Sequence, residues 1–224
     1  MGDKMDRKTL IKRKIMNKFI DATFMIIDTE GVGNVTIRKV SSIAGYSSST
    51  LYNYFEDLDH LVLFACIRYL RDYTQGLKNY IKNAKNSFER YILIWKCFCA
   101  YSFERPEIYN LIFFSGHSNS LNNTISEYYR IFPEELADSS LRLNSMLIGN
   151  DIYSRTLYSF EGCVEEGYFN EEDIVELNEI TILIYQSVLS NLLKKNPPYS
   201  SEEALKKVMK YIRRVVKAYQ LPNN

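Results

Sequence analysis

The scarcity of residues that interrupt helices is the feature that most constrains the fold of this sequence. Only 9 glycines and 5 prolines occur in 224 residues, too few for the many turns of a strand-rich protein. Between them run long segments whose apolar residues recur every three or four positions, the period of a helix buried on one face. We therefore predict an all-α protein of about nine helices.

Composition and charge exclude several classes of protein. With 46% hydrophobic and 25% charged residues, the chain is typical of folded globular proteins. The formal net charge is +1, so any nucleic-acid site must be a local patch. No segment approaches the ~18 continuous apolar residues of a membrane span, and the N-terminus lacks the apolar stretch of a secretory signal. We expect a cytoplasmic protein without membrane contact.

The four cysteines, at positions 66, 97, 99 and 163, form no Cys-x-x-Cys pair. With only two histidines in the chain, no metal-binding spacing is present either. Reduced thiols in the core are therefore favoured over a disulfide or a metal role. We expect neither a metal ion nor a cofactor.

A first amphipathic helix is predicted from about Lys8 to Thr29. Its apolar stripe comprises Ile11, Ile15, Phe19, Ala22 and Ile26. Residues 1–20 carry seven Lys or Arg and two Asp, a local excess of +5. This basic start is either a DNA contact or a solvated charged tail.

Two short helices follow, separated by Gly45. Thr36 is the predicted N-cap of the first, since its hydroxyl can accept a hydrogen bond from the first turn. The inward face of this helix is Ile37, Val40, Ile43 and Ala44. Ser47 is the predicted N-cap of the second, where Leu51 and Phe55 point inward. Two short helices joined by a glycine turn form the skeleton of a helix-turn-helix, whose second helix enters the DNA major groove.

The side chains left outside on the second helix suit DNA recognition. Small hydroxyl residues permit close approach and can donate to phosphates, while Thr50 and Asn53 are neighbours suited to a thymine methyl and to adenine. The alternative is that the hydroxyls only cap the helix and the tyrosines only pack. The predicted DNA-binding residues are Thr36, Arg38, Ser47, Ser48, Ser49, Thr50, Tyr52, Asn53 and Tyr54.

Residues 36–62, TIRKVSSIAGYSSSTLYNYFEDLDHLV, resemble the helix-turn-helix of the TetR family of bacterial transcriptional regulators. The matching positions are Thr36, Ala44, Gly45, Ser47, Thr50, Leu51, Tyr52, Tyr54, Phe55 and Leu61. Leu58 stands where many family members have a lysine that reaches a phosphate. That contact would then have to come from Arg38, Lys39 or the basic N-terminus.

The resemblance implies both a domain organisation and a function. Residues 1–60 would form the DNA-binding domain, and residues 61–224 a helical domain that dimerises and binds a small effector. The implied protein is a ligand-responsive repressor, not an enzyme, that reads a palindromic operator in double-stranded DNA as a homodimer.

The remaining helices are predicted from periodicity and capping residues. One long helix begins at Asp57 and runs to Tyr80. Further helices are predicted over about 86–104, 106–115, 119–131, 143–166, 171–195 and 201–219. Ser200 with Glu203 matches a capping box, and Asn170 is the expected cap of the helix before it.

Candidate effector residues lie on the helices that line such pockets in the family. They are Trp95, Cys99, Phe103, Tyr109, Phe113, His117, Tyr158 and Cys163. Such a pocket would take an apolar or aromatic ligand. Core packing is the alternative for each of these residues.

A dimer interface is predicted on the last two helices. Residues 177–193 are apolar on more than one face, which requires cover on several sides. A partner subunit would supply that cover, and a purely intramolecular core is the alternative. The candidate interface residues are Ile180, Ile184, Val188, Leu189, Leu192, Val208, Ile212 and Val215.

Two other classes of function fit the sequence less well. An enzyme would need a nucleophile with a base, paired carboxylates in a pocket, or a phosphate loop, and the sequence shows no such motif. The other class is a helical small-molecule-binding or membrane-surface protein without sequence-specific DNA recognition. Its basic helix, residues 206–217, has no Trp or Phe to anchor it in lipid.

Overall fold

The computed structural model describes residues 7–115, 123–136, 141–149 and 151–222. Its contacts divide the chain into two compact units, Met1–Tyr69 and Leu70–Asn224. Helices and turns make up the described residues, which contain no β-strand. The predicted all-α fold is confirmed.

The N-terminal unit contains a long helix followed by three shorter ones. Within its described residues these are α1 (Arg7–Glu30), α2 (Ile37–Ala44), α3 (Ser48–Leu51) and α4 (Leu58–Ile67). A turn of 3₁₀ helix, Val32–Asn34, links α1 to α2. Because α1 packs against both α2 and α4, it is the support on which the two short helices are held.

Short polar side chains begin the three shorter helices. Thr36 Oγ1 and Ser47 Oγ accept hydrogen bonds from the amide N–H groups three residues further on, at 3.3 and 3.2 Å. Asp57 Oδ1 does the same at 2.8 Å. Each side chain satisfies a backbone donor that the first turn of a helix leaves free, so it fixes where that helix begins.

Aromatic rings fill the centre of the N-terminal unit. The rings of Phe19 on α1, Phe64 on α4 and Phe55, which precedes α4, are all buried. The Phe55 ring stands edge-on to the other two, with centroids 6.3 and 5.5 Å away. Rings in this geometry attract one another in addition to the apolar area that they bury. Phe55 therefore ties the end of the short helical segment to the core.

The C-terminal unit is a bundle of longer helices. They are α5 (Leu70–Ile81), α6 (Ser87–Glu104), α7 (Pro106–Phe114), α8 (Thr124–Ile131), α9 (Leu141–Ile148), α10 (Ile152–Tyr158), α11 (Ile174–Leu192) and α12 (Ser201–Tyr219). α6 packs against α5 and α12, and α11 packs against α10 and α12. The predicted capping box of Ser200 and Glu203 begins α12. Asn170 does not cap α11 as predicted; its side-chain amide donates instead to Asp173 Oδ2 at 3.0 Å.

Two predicted long helices are each divided, so those predictions were wrong. The helix predicted from Asp57 to Tyr80 is interrupted after Ile67, and α5 starts at Leu70. The helix predicted over 143–166 is split into α9 and α10. The apolar period continues across the first interruption, so periodicity alone did not reveal it. The second lies at Gly149 and at Asp151, the N-cap of α10, two signals that the prediction from periodicity passed over.

Two apolar residues predicted to face the core are exposed. Ile11 of α1 is 50% exposed and Ile43 of α2 is 46% exposed. The buried face of α1 starts only at Met16, because the first turns of this helix extend beyond its contacts with the core. On α2, the buried residues are Val40, Ser41 and Ala44, so the buried face is turned toward Ser41 and away from Ile43.

The four cysteines are all buried and free. Burial raises the pKa of the Cys66 and Cys97 thiols to about 12. These thiols therefore stay protonated, and unreactive, near neutral pH. None of the helices in the described residues is long and apolar enough to cross a bilayer.

Candidate nucleic-acid interface and effector cavity

The turn between α2 and α3 depends on the backbone of Gly45. Its φ is 75°, in the left-handed region, and its N–H donates to Ser41 O at 3.0 Å, which ends α2. A Cβ at this position would meet no atom within 4 Å. The requirement for glycine is therefore conformational rather than steric. The next side chain, Tyr46, packs on Phe19 with ring centroids 5.5 Å apart and holds the turn in place.

Residues 47–55, here called the recognition segment, follow the turn. Their α-helical part is the single turn Ser48–Leu51, and backbone hydrogen bonds to residues three positions back continue the winding beyond it. Ser47 Oγ also shares hydrogen bonds of 2.8 Å with the hydroxyls of Ser49 and Thr50. A compact group of hydroxyls thus stands at the N-terminal end of the segment.

One side of the recognition segment is buried and the other faces solvent. Leu51 and Phe55 are 0% and 2% exposed, and their predicted inward orientation is confirmed. Tyr52, although large and aromatic, is 53% exposed. The remaining exposed residues are Ser47, Ser48, Ser49 and Asn53, while Thr50 and Tyr54 are half-buried. Tyr52 is therefore not part of the core of the N-terminal unit.

The two cations of α2 have different surroundings. Lys39 Nζ lies 2.6 Å from Glu30 Oε2 in an ion pair. Arg38 is exposed, and among the described residues no carboxylate pairs with it. Thr36, also exposed, accepts a hydrogen bond from the amide of Lys39, and its own hydroxyl proton stays free to donate. Arg38 is thus the α2 cation with more freedom to meet an anion.

The basic start of α1 lies beside the recognition segment. Arg7, Lys8 and Lys12 line the same concave surface as Asn53 and Tyr54. Three cations on one surface produce a positive local potential although the whole chain carries a net charge of only +1. The surface therefore suits an anionic partner.

The start of α4, by contrast, is acidic. Its first residue is the half-buried Leu58. The preceding Asp57 accepts a hydrogen bond from the backbone of His60 and so places a carboxylate at this helix end. A phosphate would be repelled there, and Arg38 and the start of α1 are the better placed cations of this unit.

The predicted effector residues lie in several environments. Trp95, Cys99, Phe103, Tyr109 and Cys163 are buried, and Phe113 is half-buried. Tyr158 is 43% exposed. His117 lies outside the described residues.

Four of these residues belong to one cluster of rings in the C-terminal unit. Its centre is formed by Phe98 and Tyr185, which the sequence pattern did not single out and whose centroids are 5.1 Å apart. Trp95 and Tyr109 lie 6.1 and 5.6 Å from the Phe98 ring. Phe103 stacks on Tyr185 at 5.8 Å. Phe113 is the fourth predicted member, 5.6 Å from Phe98.

A small cavity lies against this cluster, with about 20 Å³ open to the centre of a water-sized molecule. The apolar part of its wall comprises Tyr73, Ile94, Trp95, Phe98, Met146 and Ile152. The polar part comprises Arg155, Thr156 and Ser159. We call this space the Arg155 cavity. Of the predicted effector residues that the structure describes, Trp95 alone lines it; Arg155 was missed because in the sequence IYSRTLY it resembles an ordinary surface cation.

The predicted interface residues divide into a buried and a more accessible group. Within their own chain, the buried ones are Val188, Leu189, Leu192, Val208 and Ile212. Ile180, Ile184 and Val215 are half-buried. Larger apolar surfaces on these helices belong to Val175, Leu183 and Tyr211, which are 68%, 51% and 38% exposed. A partner covering α11 and α12 would meet the accessible group.

Comparison with known protein families gives a match within the N-terminal unit. Residues 19–63 match the family model of bacterial regulatory proteins of the tetR family. This range contains α2, the Gly45 turn and the whole recognition segment. No curated protein matches the chain at a significant level.

Solved structures share the fold over nearly the whole chain. A regulator from Syntrophomonas wolfei, assigned to the TetR family, has a TM-score of 0.61 and 15% identity, covering 94% of this chain and 98% of its own. FadR of Thermus thermophilus, a TetR-family repressor in complex with lauroyl-CoA, has a TM-score of 0.59 and 10% identity, covering 93% and 96%. RolR in complex with resorcinol has a TM-score of 0.57 and 14% identity, covering 95% and 96%. At such identities the likeness is one of fold.

Fold and interface together define a helix-turn-helix protein of the transcriptional regulator class. More particularly, residues 19–63 match the model of the TetR family of bacterial regulators, and the chain as a whole has the fold of solved structures assigned to that family. The resemblance predicted from residues 36–62 is thereby confirmed. Regulators of this family bind DNA and are not enzymes.

Proposed function

We propose that this chain is a ligand-responsive repressor that binds a palindromic DNA operator as a homodimer. The observation that carries the proposal is the orientation of the recognition segment. Leu51 and Phe55 anchor it to the core, while Tyr52 and Asn53 face solvent on the opposite side. A short helix presented in this way by a helix-turn-helix fits the major groove of DNA.

The exposed side chains divide into those that read bases and those that hold phosphates. Asn53 suits a bidentate contact to adenine, and the methyl group of Thr50 suits a thymine methyl. The hydroxyls of Ser48, Ser49 and Tyr52 are donors for phosphate oxygens, which position the segment without reading sequence. The hydrogen-bonded hydroxyls around Ser47 support this assignment because their small size leaves the helix end accessible.

Cations beside the segment would supply affinity that does not depend on sequence. Arg7, Lys8 and Lys12 share a surface with Asn53, and Arg38 is exposed on α2. Each cation that neutralises a phosphate releases counterions, so binding should weaken steeply as salt rises. These cations would make the phosphate contact that a lysine makes in many family members, at the position where this chain has Leu58.

Two copies of the chain would meet through α11 and α12. These helices pack on each other, so the same pair from a second chain would complete a four-helix, isologous interface. Leu183 and Val175 support the proposal, since they are 51% and 68% exposed on a helix whose other faces are buried. A two-fold dimer reads a palindrome when its recognition segments lie about one DNA turn apart, ~34–36 Å.

An effector would release the operator by a shift of population. It would bind more tightly to the dimer whose recognition segments are wrongly spaced, and so favour that state. The cavity in the C-terminal unit supports such a site. So do the ligands of two proteins of the same fold, resorcinol for RolR and lauroyl-CoA for FadR.

The test is selection of bound fragments from random double-stranded DNA, followed by affinity measurements on the selected site. We expect a palindromic consensus. Tyr52→Ala and Asn53→Ala should each weaken operator binding by about 1–3 kcal/mol, roughly 5- to 150-fold, and Asn53→Ala should relax the preference at one base pair. The far-ultraviolet circular dichroism and oligomeric state of both variants should stay unchanged.

Tyr153→Ala is the matched control. Tyr153 is 46% exposed, close to the exposure of Tyr52, but lies in the C-terminal unit. If no DNA sequence is selected, or if Tyr52→Ala and Asn53→Ala bind as well as this control, the proposal fails. Binding to anionic liposomes without binding to DNA would support the membrane-surface alternative instead.

A further inference from the structure

Arg155 is a buried cation without a counter-ion among the described residues. It is 4% exposed. Its Nη1 donates to Leu147 O and, at 3.4 Å, to Gly149 O, both at the end of α9. Its Nη2 is buried and has no hydrogen-bond acceptor, and no described carboxylate forms an ion pair with the group. An unpaired buried charge is so costly that its presence calls for an explanation.

Among the described residues, the groups found around this guanidinium are aromatic. Its Cζ lies 5.5 Å from the centroid of the Phe113 ring. Burial raises the pKa of the Tyr109 and Tyr129 hydroxyls, and the positive charge of Arg155 opposes that rise, which places both near it. Both hydroxyls are also buried without a hydrogen-bond partner. Three buried polar groups without hydrogen-bond partners therefore lie in this region: Arg155 Nη2 and the hydroxyls of Tyr109 and Tyr129.

The Arg155 cavity lies against the same group. Its other two polar wall residues, Thr156 and Ser159, donate their hydroxyl protons to backbone carbonyls of their own segment. Nη2 is thus the charged donor left for an occupant, beside the indole Nε1 of Trp95, which also has no hydrogen-bond partner. The rest of the wall is apolar and includes the rings of Trp95 and Phe98.

We propose that the Arg155 cavity binds a small organic acid, whose carboxylate pairs with the Arg155 guanidinium and whose apolar body packs against Trp95 and Phe98. The body would be no more than one aromatic ring or a short aliphatic chain, because the cavity as it stands is about 20 Å³, room for about one water. Its entry would therefore require side chains of the wall to move. The proposal names the effector class of the repressor and rests on that proposed function for its regulatory meaning.

Charge complementarity is the reason for choosing an acid over a neutral ligand. A carboxylate offers two oxygens to the parallel N–H donors of a guanidinium, and the attraction is stronger in a dry cavity than in water. A neutral amide of the same shape would leave the cation unpaired. The bonds to α9 explain the position of Nη1 but give no role to Nη2.

Direct binding to the full-length protein, without DNA, tests the proposal. The probes are benzoate, phenylacetate, hexanoate and octanoate, each paired with its amide. Trp95 is the single tryptophan of the chain and lines the cavity, so its fluorescence reports occupancy, and calorimetry gives Kd. We expect at least one acid to bind, with its amide at least about 30-fold weaker, as is typical for loss of a charged hydrogen-bonded pair. Arg155→Met should abolish acid binding, and Arg155→Lys should retain part of it.

Arg155→Met fills a similar volume but loses the two hydrogen bonds to the end of α9, so its circular dichroism spectrum and urea unfolding are measured first to show that it is folded. If that variant does not fold, the comparison of acid with amide in the unaltered protein decides. No binding by any acid, equal binding by the amides, or undiminished acid binding by folded Arg155→Met overturns the proposal. Such a result leaves operator binding untouched, whereas failure to select any DNA overturns the repressor and not this acid site.

Discussion

The recognition segment and the Arg155 cavity are assembled in opposite ways. The whole recognition segment lies within residues 47–55, and short-range hydrogen bonds fix its shape. The wall of the cavity is drawn from α5, α6, α9 and α10, with residues as far apart in sequence as Tyr73 and Ser159. The first site is encoded locally, and the second arises only when several helices pack together.

The two regions should therefore respond differently to substitution. The exposed side chains of the recognition segment, such as Tyr52 and Asn53, do not pack in the core, so removing one should change DNA binding and leave stability almost intact. Rings beside the cavity are part of a close-packed core, so removing one should change stability first. The following predictions test this contrast, from the largest expected effect to the smallest.

Tyr185→Ala should produce the largest loss of stability. The residue lies at the centre of the ring cluster and is fully buried, and truncation of a buried aromatic typically costs about 3–5 kcal/mol. Urea unfolding followed by Trp95 fluorescence measures the change, because the Trp95 ring is 5.9 Å from Tyr185.

Tyr185→Phe is the matched control for that substitution. It keeps the ring but removes the hydroxyl, which shares a hydrogen bond of 2.5 Å with Ser102 Oγ. We expect a loss of about 1–3 kcal/mol from the hydroxyl left unpaired on Ser102. If the alanine variant is no less stable than the phenylalanine variant, ring packing does not dominate this region.

Leu183→Glu sharpens the contrast by testing the accessible surface of the C-terminal unit. Leu183 is 51% exposed, so the protomer should fold normally. In the proposed dimer, however, the carboxylate would be buried without a partner, and we expect dimer dissociation to become easier by about 100-fold. Analytical ultracentrifugation over a range of concentrations measures it. Met25→Glu, at a residue of 54% exposure on α1, should leave dimerisation unchanged, and equal behaviour of both variants would argue against this interface.

Gly45→Ala should lower stability by about 1–2 kcal/mol, the energy of placing an L-residue in the left-handed region. Gly33→Ala is a close control, because an added Cβ meets nothing within 4 Å at either position but only Gly45 of the two has a positive φ. Hydrogen exchange of the amides in α2 and the recognition segment would locate the loss. Similar exchange in both variants would show that the turn does not depend on this φ.

Arg38→Ala should have the smallest effect, confined to the salt dependence of operator binding. Losing one phosphate contact should make the slope of log K against log salt shallower by about 0.9. Lys39→Ala should change the slope less, since Lys39 already pairs with Glu30 at 2.6 Å. A larger change for Lys39→Ala would reverse the assigned roles of these two cations.

Much of the N-terminal unit was predictable because its determinants are close in sequence. Caps at Thr36 and Ser47, the glycine turn and the inward pair Leu51 and Phe55 each involve residues within one or two helical turns. The exposure of Ile43 was not predictable, because it depends on how much of α2 is covered by α1. Helix bounds in the C-terminal unit were predicted where caps mark them, as at Ser200, and missed where the apolar period runs on through a break.

The sequence by itself determined an all-helical chain, a helix-turn-helix near its start and the side chains that this motif turns outward. These features depend on local hydrogen bonds and on the helical period of apolar residues, so they can be predicted without knowing how the helices pack. Only the tertiary structure decided that Phe98 and Tyr185 centre the aromatic core and that Arg155 is buried beside a cavity. Burial is a property of the neighbours that surround a side chain, and those neighbours come from helices far apart in the sequence.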